Sequence, residues 1–214
     1  MLPVVVSCGA GSLSVISMGF LLRERDESVI CRGPMKYKVI KEFLKDVEWG
    51  ELDYLIMDMP PGTGDVQLTT AQSLPLTGAV IVSTPQDVAL MDAGKALAMF
   101  QKLNVPILGM VENMTSFICP HCGEATDIFG HGGAQAAARR LDVPFLGEIP
   151  LTLAVRTGSD SGRPIVVDAP DSPEAAAFRK VSKSLAAQVS ILAYARGAAA
   201  GNGPGAPLPL FRRR

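Results

Sequence analysis

DMPPGTGD, residues 58–65, directly follows an apolar run at residues 54–57 that has the composition of a buried strand. An aspartate at the end of such a strand can hold Mg²⁺ directly or through water, so Asp58 is the candidate metal-binding and catalytic carboxylate. Glycine in the following loop lets backbone N–H groups approach a phosphate, which makes Gly62, Thr63 and Gly64 candidate nucleotide-binding residues. The same pattern also fits an ordinary strand-to-helix turn, with Asp65 as the helix cap.

The rest of the chain alternates short apolar runs with helical patterns. Strands are predicted at residues 13–18, 54–57, 79–82, 107–111 and 145–149, and helices at about 35–47, 90–100 and 173–194. Apolar strands separated by helices predict an α/β fold, with a mostly parallel sheet and helices on both faces. Residues 1–195 are therefore expected to form a single domain. The Ala/Gly/Pro-rich segment 196–214 has little to bury and is expected to be a disordered tail.

Composition limits the classes of partner. The 214 residues carry a net charge of -1, so no overall positive field predicts nucleic-acid binding. No uncharged apolar run reaches the 18 residues that a membrane span needs, and no basic segment precedes the apolar residues at the N-terminus. Small molecules and other proteins are the expected partners, with neither nucleic acid nor membrane among them.

Cys119-Pro120-His121-Cys122 is the candidate metal-binding motif. Two thiolates three positions apart can bind one metal ion or one edge of a cluster, but a four-coordinate site needs four ligands. A two-fold dimer in which each subunit gives its pair would supply them. Zinc would accept the same ligands, and thiol–disulfide exchange is a third interpretation, although redox motifs of this kind open a helix and none is predicted after Cys122.

Four motifs together resemble the Mrp/ApbC family of iron–sulfur carrier ATPases, which are deviant P-loop proteins of the MinD/ParA-like superfamily. These motifs are the DMPPGTGD stretch, RGPM at 32–35, VSTPQDVALMD at 82–92 and VENM at 111–114. The resemblance implies a P-loop NTPase-like fold and a homodimer bridged by a 4Fe-4S cluster through Cys119 and Cys122. It also implies ATP with Mg²⁺ at the nucleotide site, and transfer of the cluster to apo iron–sulfur client proteins under ATP control.

The resemblance adds two residues at the nucleotide site. Asn113 closes a predicted strand, where the family uses the amide to contact the adenine edge, and Pro150 matches a residue that packs near the base. Without the resemblance, Asn113 fits a strand-end cap or turn. The family occurs in bacteria and in mitochondria, so a bacterial cytoplasm is the expected location, with the mitochondrial matrix as the alternative.

One departure from the family concerns the glycine-rich loop of the form GKGGVGKS, which does not occur in this sequence. We therefore expect the fold to lack its first strand and P-loop, ATP binding to be weak or absent, and ATPase activity to be poor. The alternative function is a non-enzymatic dimeric binding module, bridged by zinc or a cluster, whose nucleotide site is vestigial.

Overall fold

The structure is a computed structural model that describes residues 1–9, 11–21, 33–60, 62 and 64–199. The chain divides into two compact units, Met1–Pro75 and Leu76–Arg214, where the sequence predicted a single domain. The second unit contains the α/β sheet and the cysteine motif.

The first unit begins with an antiparallel hairpin. Strand β1 (Val4–Cys8) pairs with β2 (Gly11–Val15), in a register that places Val4 opposite Val15. The strand predicted at 13–18 is therefore shifted toward the N-terminus, and its partner is antiparallel. A short 3₁₀ helix at Met18–Leu21, α1 (Gly33–Lys45) and α2 (Asp65–Ser73) complete the unit.

The strand predicted at residues 54–57 is not present. This segment lies in irregular backbone, and Ile56 is 82% exposed. A strand needs a neighbour to pair its backbone N–H and C=O groups, and none of the described strands is paired with these residues. The apolar side chains that suggested a buried strand are on the surface instead.

The second unit is built on a mostly parallel sheet. Strand β3 (Ala79–Ser83) and strand β6 (Phe145–Leu151) both pair parallel with the central β4 (Ile107–Ile118). The short β5 (Ala125–Thr126) pairs antiparallel with the far end of β4. The three parallel strands confirm the predictions at 79–82, 107–111 and 145–149, and β4 continues seven residues beyond its predicted end.

Helices cover both faces of this sheet, as predicted. Helices α3 (Asp87–Lys102) and α4 (Gly133–Arg140) enclose one core, in which Leu97 and Met110 are fully buried. On the other face, Phe178, Val181 and Leu185 of the last helix pack against Val111, Leu146 and Ile149. Adjacent residues Met110 and Val111 point to opposite faces because side chains alternate along a strand.

Three helices follow β6: α5 (Leu153–Asp160), α6 (Ile165–Asp168) and α7 (Pro173–Ala199). Helix α7 continues to Ala199, beyond the predicted start of the tail at 196, and residues 200–214 lie outside the described part of the chain. None of the helices that the structure describes is long and apolar enough to cross a membrane.

Candidate functional site

The cysteine motif forms the tip of a hairpin that projects from the end of β4. Phe117 and Ile118 pair with Thr126 and Ala125, and the chain reverses between them. The Cys119 N–H donates to the Glu124 carbonyl at 3.0 Å, and the Gly123 N–H donates to the Cys119 carbonyl at 2.9 Å. Gly123 has φ +74°, a left-handed conformation that glycine adopts without strain. The turn therefore holds the backbone of both cysteines in a closed loop.

The same turn surrounds the Cys119 sulfur with hydrogen-bond donors. The backbone N–H of Cys122, the backbone N–H of His121 and the Cys122 thiol together lower the pKa of Cys119, while burial opposes them weakly. Donors favour the charged form because they interact more strongly with a thiolate than with a thiol. Cys119 is half-buried and Cys122 is exposed. The turn thus prepares a thiolate ligand next to an accessible second thiol.

This lowered pKa predicts how alkylation of Cys119 depends on pH. As the pH falls below the ordinary thiol value, Cys119 in the folded chain stays ionised over a range in which the same residue in the unfolded chain is already protonated. The ratio of folded to unfolded iodoacetamide reaction rates at Cys119 should therefore increase as the pH decreases. Peptide mass spectrometry in buffer and in urea measures both rates, and identical pH midpoints would contradict the assignment.

In the part of the chain that the structure describes, Cys119 and Cys122 supply only two of the four ligands that a four-coordinate metal site needs. No group of three or more potential ligands among these residues includes Cys119 or Cys122. A 4Fe-4S cluster or a zinc ion that takes four thiolates therefore needs two more from outside this turn. Cys122 is followed by Gly123, Glu124 and β5, with no helix, so the arrangement differs from that of helix-opening redox motifs.

Glu112 anchors the region between β4 and α4, and sequence reasoning did not identify this role. The side chain is completely buried, and its Oε1 atom accepts hydrogen bonds from the Gly132 N–H at 2.8 Å and the Thr115 hydroxyl at 2.7 Å. Its Oε2 atom accepts from the Ala134 N–H at 2.7 Å. A buried carboxylate needs such donors to offset its lost hydration. The sequence signal was a single charged residue that directly continues the apolar strand at 107–111.

His131 completes this network. Its Nδ1 atom lies 2.9 Å from the Thr115 hydroxyl, and its Nε2 atom lies 3.8 Å from a carboxylate oxygen of Glu148. Because the Thr115 proton is donated to Glu112, Nδ1 of His131 must be the donor in its contact with Thr115. Glu112, His131 and Glu148 bring three potential metal-ligand atoms within 4.8 Å of one another, but the Glu112 oxygens already accept three hydrogen bonds.

The structure brings two predicted nucleotide-binding residues together. Asn113 on β4 is paired with Ile149 on β6, so the next residue, Pro150, lies beside it on the neighbouring strand. The Asn113 Oδ1 atom accepts a hydrogen bond from the Met114 N–H at 3.0 Å, and Met114 has φ +59°. The amide oxygen therefore stabilises irregular backbone inside β4, whereas the alternative interpretation expected a strand end or turn at Asn113. Among the described residues, the amide nitrogen of Asn113 has no hydrogen-bond partner.

The DMPPGTGD loop lies in the first unit. Asp58 is exposed, and Gly62 has φ +93°, a conformation that strongly favours glycine. Gly64 is the N-cap of α2, which corrects the prediction that Asp65 caps this helix. The Gln67 side-chain amide donates to the Pro60 carbonyl and ties the loop to the helix. Thr63 lies outside the described residues.

Solved structures similar to this chain define its class. A nucleotide-binding protein from Archaeoglobus fulgidus in complex with ADP is 40% identical, with a TM-score of 0.64, over 81% of this chain and 64% of that chain. The cell-division ATPase MinD from Pyrococcus furiosus is 26% identical, with a TM-score of 0.54, over 73% of this chain and 59% of that chain. The fold is therefore that of MinD-like P-loop NTPases.

The family follows from the sequence comparison. The ParA family model, described as NUBPL iron-transfer P-loop NTPase, matches residues 1–186, and the chain belongs to this family. The iron-sulfur cluster transfer protein NUBPL of Dictyostelium discoideum is 51% identical over 84% of this chain and 55% of its own length. An iron-sulfur cluster carrier protein of Synechocystis is 51% identical over 85% of this chain and 51% of its own. The chain thus spans about half the length of these relatives.

Proposed function

We propose that this chain is an iron–sulfur cluster carrier that holds a 4Fe-4S cluster between two copies and delivers it to apo client proteins. The observation that carries the proposal is the turn at residues 119–123, which presents two thiols and no third ligand among the described residues. Cys119 and Cys122 of each copy would supply four thiolates, one for each iron. Relatives of about half identity are named as cluster carriers or cluster transfer proteins, which supports this choice of cargo.

Transfer to a client requires no change in the oxidation state of the cluster. Each incoming client thiolate binds an iron as a carrier thiolate leaves, so the number of Fe–S(Cys) bonds is conserved and the cluster passes intact. The exposed Cys122 is the ligand that a client reaches first, and Cys119 is the better shielded one. The proposed cycle thus begins with exchange at Cys122.

The nucleotide site is the second part of the proposal. Asp58 would hold Mg²⁺, the backbone of Gly62, Thr63 and Gly64 would face the phosphates, and Asn113 with Pro150 would bind the base. The ADP complex of the similar archaeal protein supports nucleotide binding. In a dimer with a complete nucleotide site, ATP binding would change the dimer geometry and so control release of the cluster. Because the glycine-rich loop of the form GKGGVGKS does not occur in this sequence, hydrolysis by this chain alone is expected to be poor.

Loading and transfer test the proposed function together. The purified chain is reconstituted anaerobically with iron and sulfide, then mixed with an apo 4Fe-4S enzyme whose activity reports cluster arrival. We expect activation of the enzyme at a rate faster than that given by free iron and sulfide at equal concentration. A chain that binds zinc in the same site and takes up no cluster would instead support the alternative, a zinc-bridged binding module with a vestigial nucleotide site.

The two roles of Asn113 can be separated by substitution. Asn113→Asp keeps an oxygen that accepts the Met114 N–H but removes the amide donor, whereas Asn113→Ala removes both. We expect both variants to weaken Mg–ADP binding about tenfold, as loss of one hydrogen bond to a base implies, and only the Ala variant to lose about 1 kcal/mol of folding stability. Calorimetric titration and urea unfolding measure these effects; unchanged binding in Asn113→Asp would exclude the base-binding role.

A further inference from the structure

An irregularity in β4 lies between the sheet and the cysteine hairpin. From Asn113 to Phe117 the strand advances four residues, while its partner β6 advances only two, from Ile149 to Leu151. The two extra residues form a bulge, and Met114 within it has φ +59°, an uncommon conformation for a residue with a side chain. A bulge bends the strand, so its conformation sets the direction in which the hairpin leaves the sheet.

Glu112 precedes this bulge and is hydrogen-bonded to Thr115, which lies within it. Glu112 is the last residue before it that keeps regular pairing with both neighbouring strands, and its partner Thr115 is 3% exposed. Their hydrogen bond of 2.7 Å joins a carboxylate to a hydroxyl in a buried environment, where such bonds are strong. The bulge is therefore fixed by a side-chain contact in addition to its own backbone.

The carboxylate end of this bridge is itself anchored. Glu112 accepts the N–H groups of Gly132 and Ala134 at the start of α4. Gly133 between them packs so closely on the loop before α3 that an added Cβ atom would lie 2.4 Å from the Pro85 carbonyl oxygen. Glu112 thus connects the bulge to the start of α4, which packs closely on the loop before α3.

We propose that Glu112 and Thr115 are positioning residues, which fix the orientation of the cysteine hairpin so that two copies can meet on one cluster. The inference rests on the proposed function, because a half-site must be placed within about 0.5 Å to share a metal centre with its partner. The Cys119–Cys122 turn has its own hydrogen bonds, which involve neither Glu112 nor Thr115. Loss of the contact between Glu112 and Thr115 should therefore weaken the cluster-bridged dimer and leave the turn itself intact.

Substitution of Thr115 tests this role. Thr115→Val removes the hydroxyl at nearly constant volume, and with it both the hydrogen bond to Glu112 and the contact with Nδ1 of His131. Glu112 keeps its two N–H donors, so the variant should fold. Thr115→Ser keeps the hydroxyl and is the matched control. We measure two properties of each protein: hydrogen–deuterium exchange across residues 115–126, and the protein concentration at which the reconstituted, cluster-containing dimer is half dissociated.

We expect the Val variant to show about tenfold faster exchange in the hairpin and about tenfold weaker cluster-bridged dimerisation, as loss of one charge-assisted hydrogen bond implies, while the Ser variant matches the wild type. Unchanged exchange in the Val variant would overturn the proposal, as would faster exchange with an equally stable cluster-bridged dimer. If the wild type takes up no cluster, the proposed function fails, and the exchange data alone then decide whether Thr115 fixes the hairpin.

Discussion

Replacing Cys119 and Cys122 together by alanine is expected to abolish cluster uptake and, with it, the cluster-dependent dimer. The two thiolates are the proposed cluster ligands, and no group of three or more potential metal ligands among the described residues lies in this hairpin, so no alternative site remains there after their removal. The visible sulfide-to-iron absorbance after anaerobic reconstitution should disappear, and the variant should elute as a monomer at concentrations at which the loaded wild type is a dimer.

Cys8→Ala provides the matched control. Cys8 is a half-buried free cysteine at the end of β1, so its substitution tests whether loss of any thiol reduces cluster uptake. We expect wild-type iron and sulfide content in this variant. Full cluster content in the Cys119/Cys122 double variant would show that the cluster is held elsewhere and would remove the basis of the proposed function.

Glu112→Leu is expected to produce the largest loss of stability in the second unit. The substitution leaves the Gly132 and Ala134 N–H groups and the Thr115 hydroxyl without their acceptor, and each unsatisfied group costs about 1–3 kcal/mol. Because leucine gains some apolar burial, we expect a net loss of about 3–5 kcal/mol in the free energy of unfolding. This is a large fraction of the stability of a typical domain.

Glu112→Gln is the control for charge and shape. Glutamine keeps one acceptor oxygen and places an NH₂ group against one donor, so a smaller loss of about 1–3 kcal/mol is expected. Urea unfolding followed by far-ultraviolet circular dichroism is the suitable measurement, since the single tryptophan, Trp49, lies in the first unit and Glu112 lies in the second. A Leu variant within about 0.5 kcal/mol of the wild type would show that the network does not anchor α4.

The parallel sheet was predictable because its signals are local. Residues 79–82 and 107–111 are uncharged and mostly apolar, and 145–149 are apolar apart from Gly147 and Glu148, a pattern typical of a covered parallel strand. The helices between them show one apolar face each. The strand at 54–57 was wrong because an apolar run specifies a tendency to be buried, and pairing depends on a neighbour that the run does not encode.

Part of the candidate site was likewise predictable from the sequence, and part was not. The spacing of Cys119 and Cys122 identified a ligand pair, because the spacing is itself the chemical signal. The network around Glu112, Thr115 and His131 was missed because it joins distant residues, up to the 22 positions between Glu112 and Ala134, and its hydrogen bonds depend on where β4 and α4 meet. A charged residue that continues a buried strand is the one sequence feature that indicates such a network.

The native mass of the iron-loaded protein distinguishes a cluster shared by two copies from a metal ion or cluster held by one copy. After anaerobic reconstitution, we expect a dimer that carries one 4Fe-4S cluster and separates into monomers when the cluster is removed by a chelator. A monomer that retains its own metal ion or cluster, or a dimer whose mass includes no iron and sulfide, would contradict a cluster shared between two half-sites.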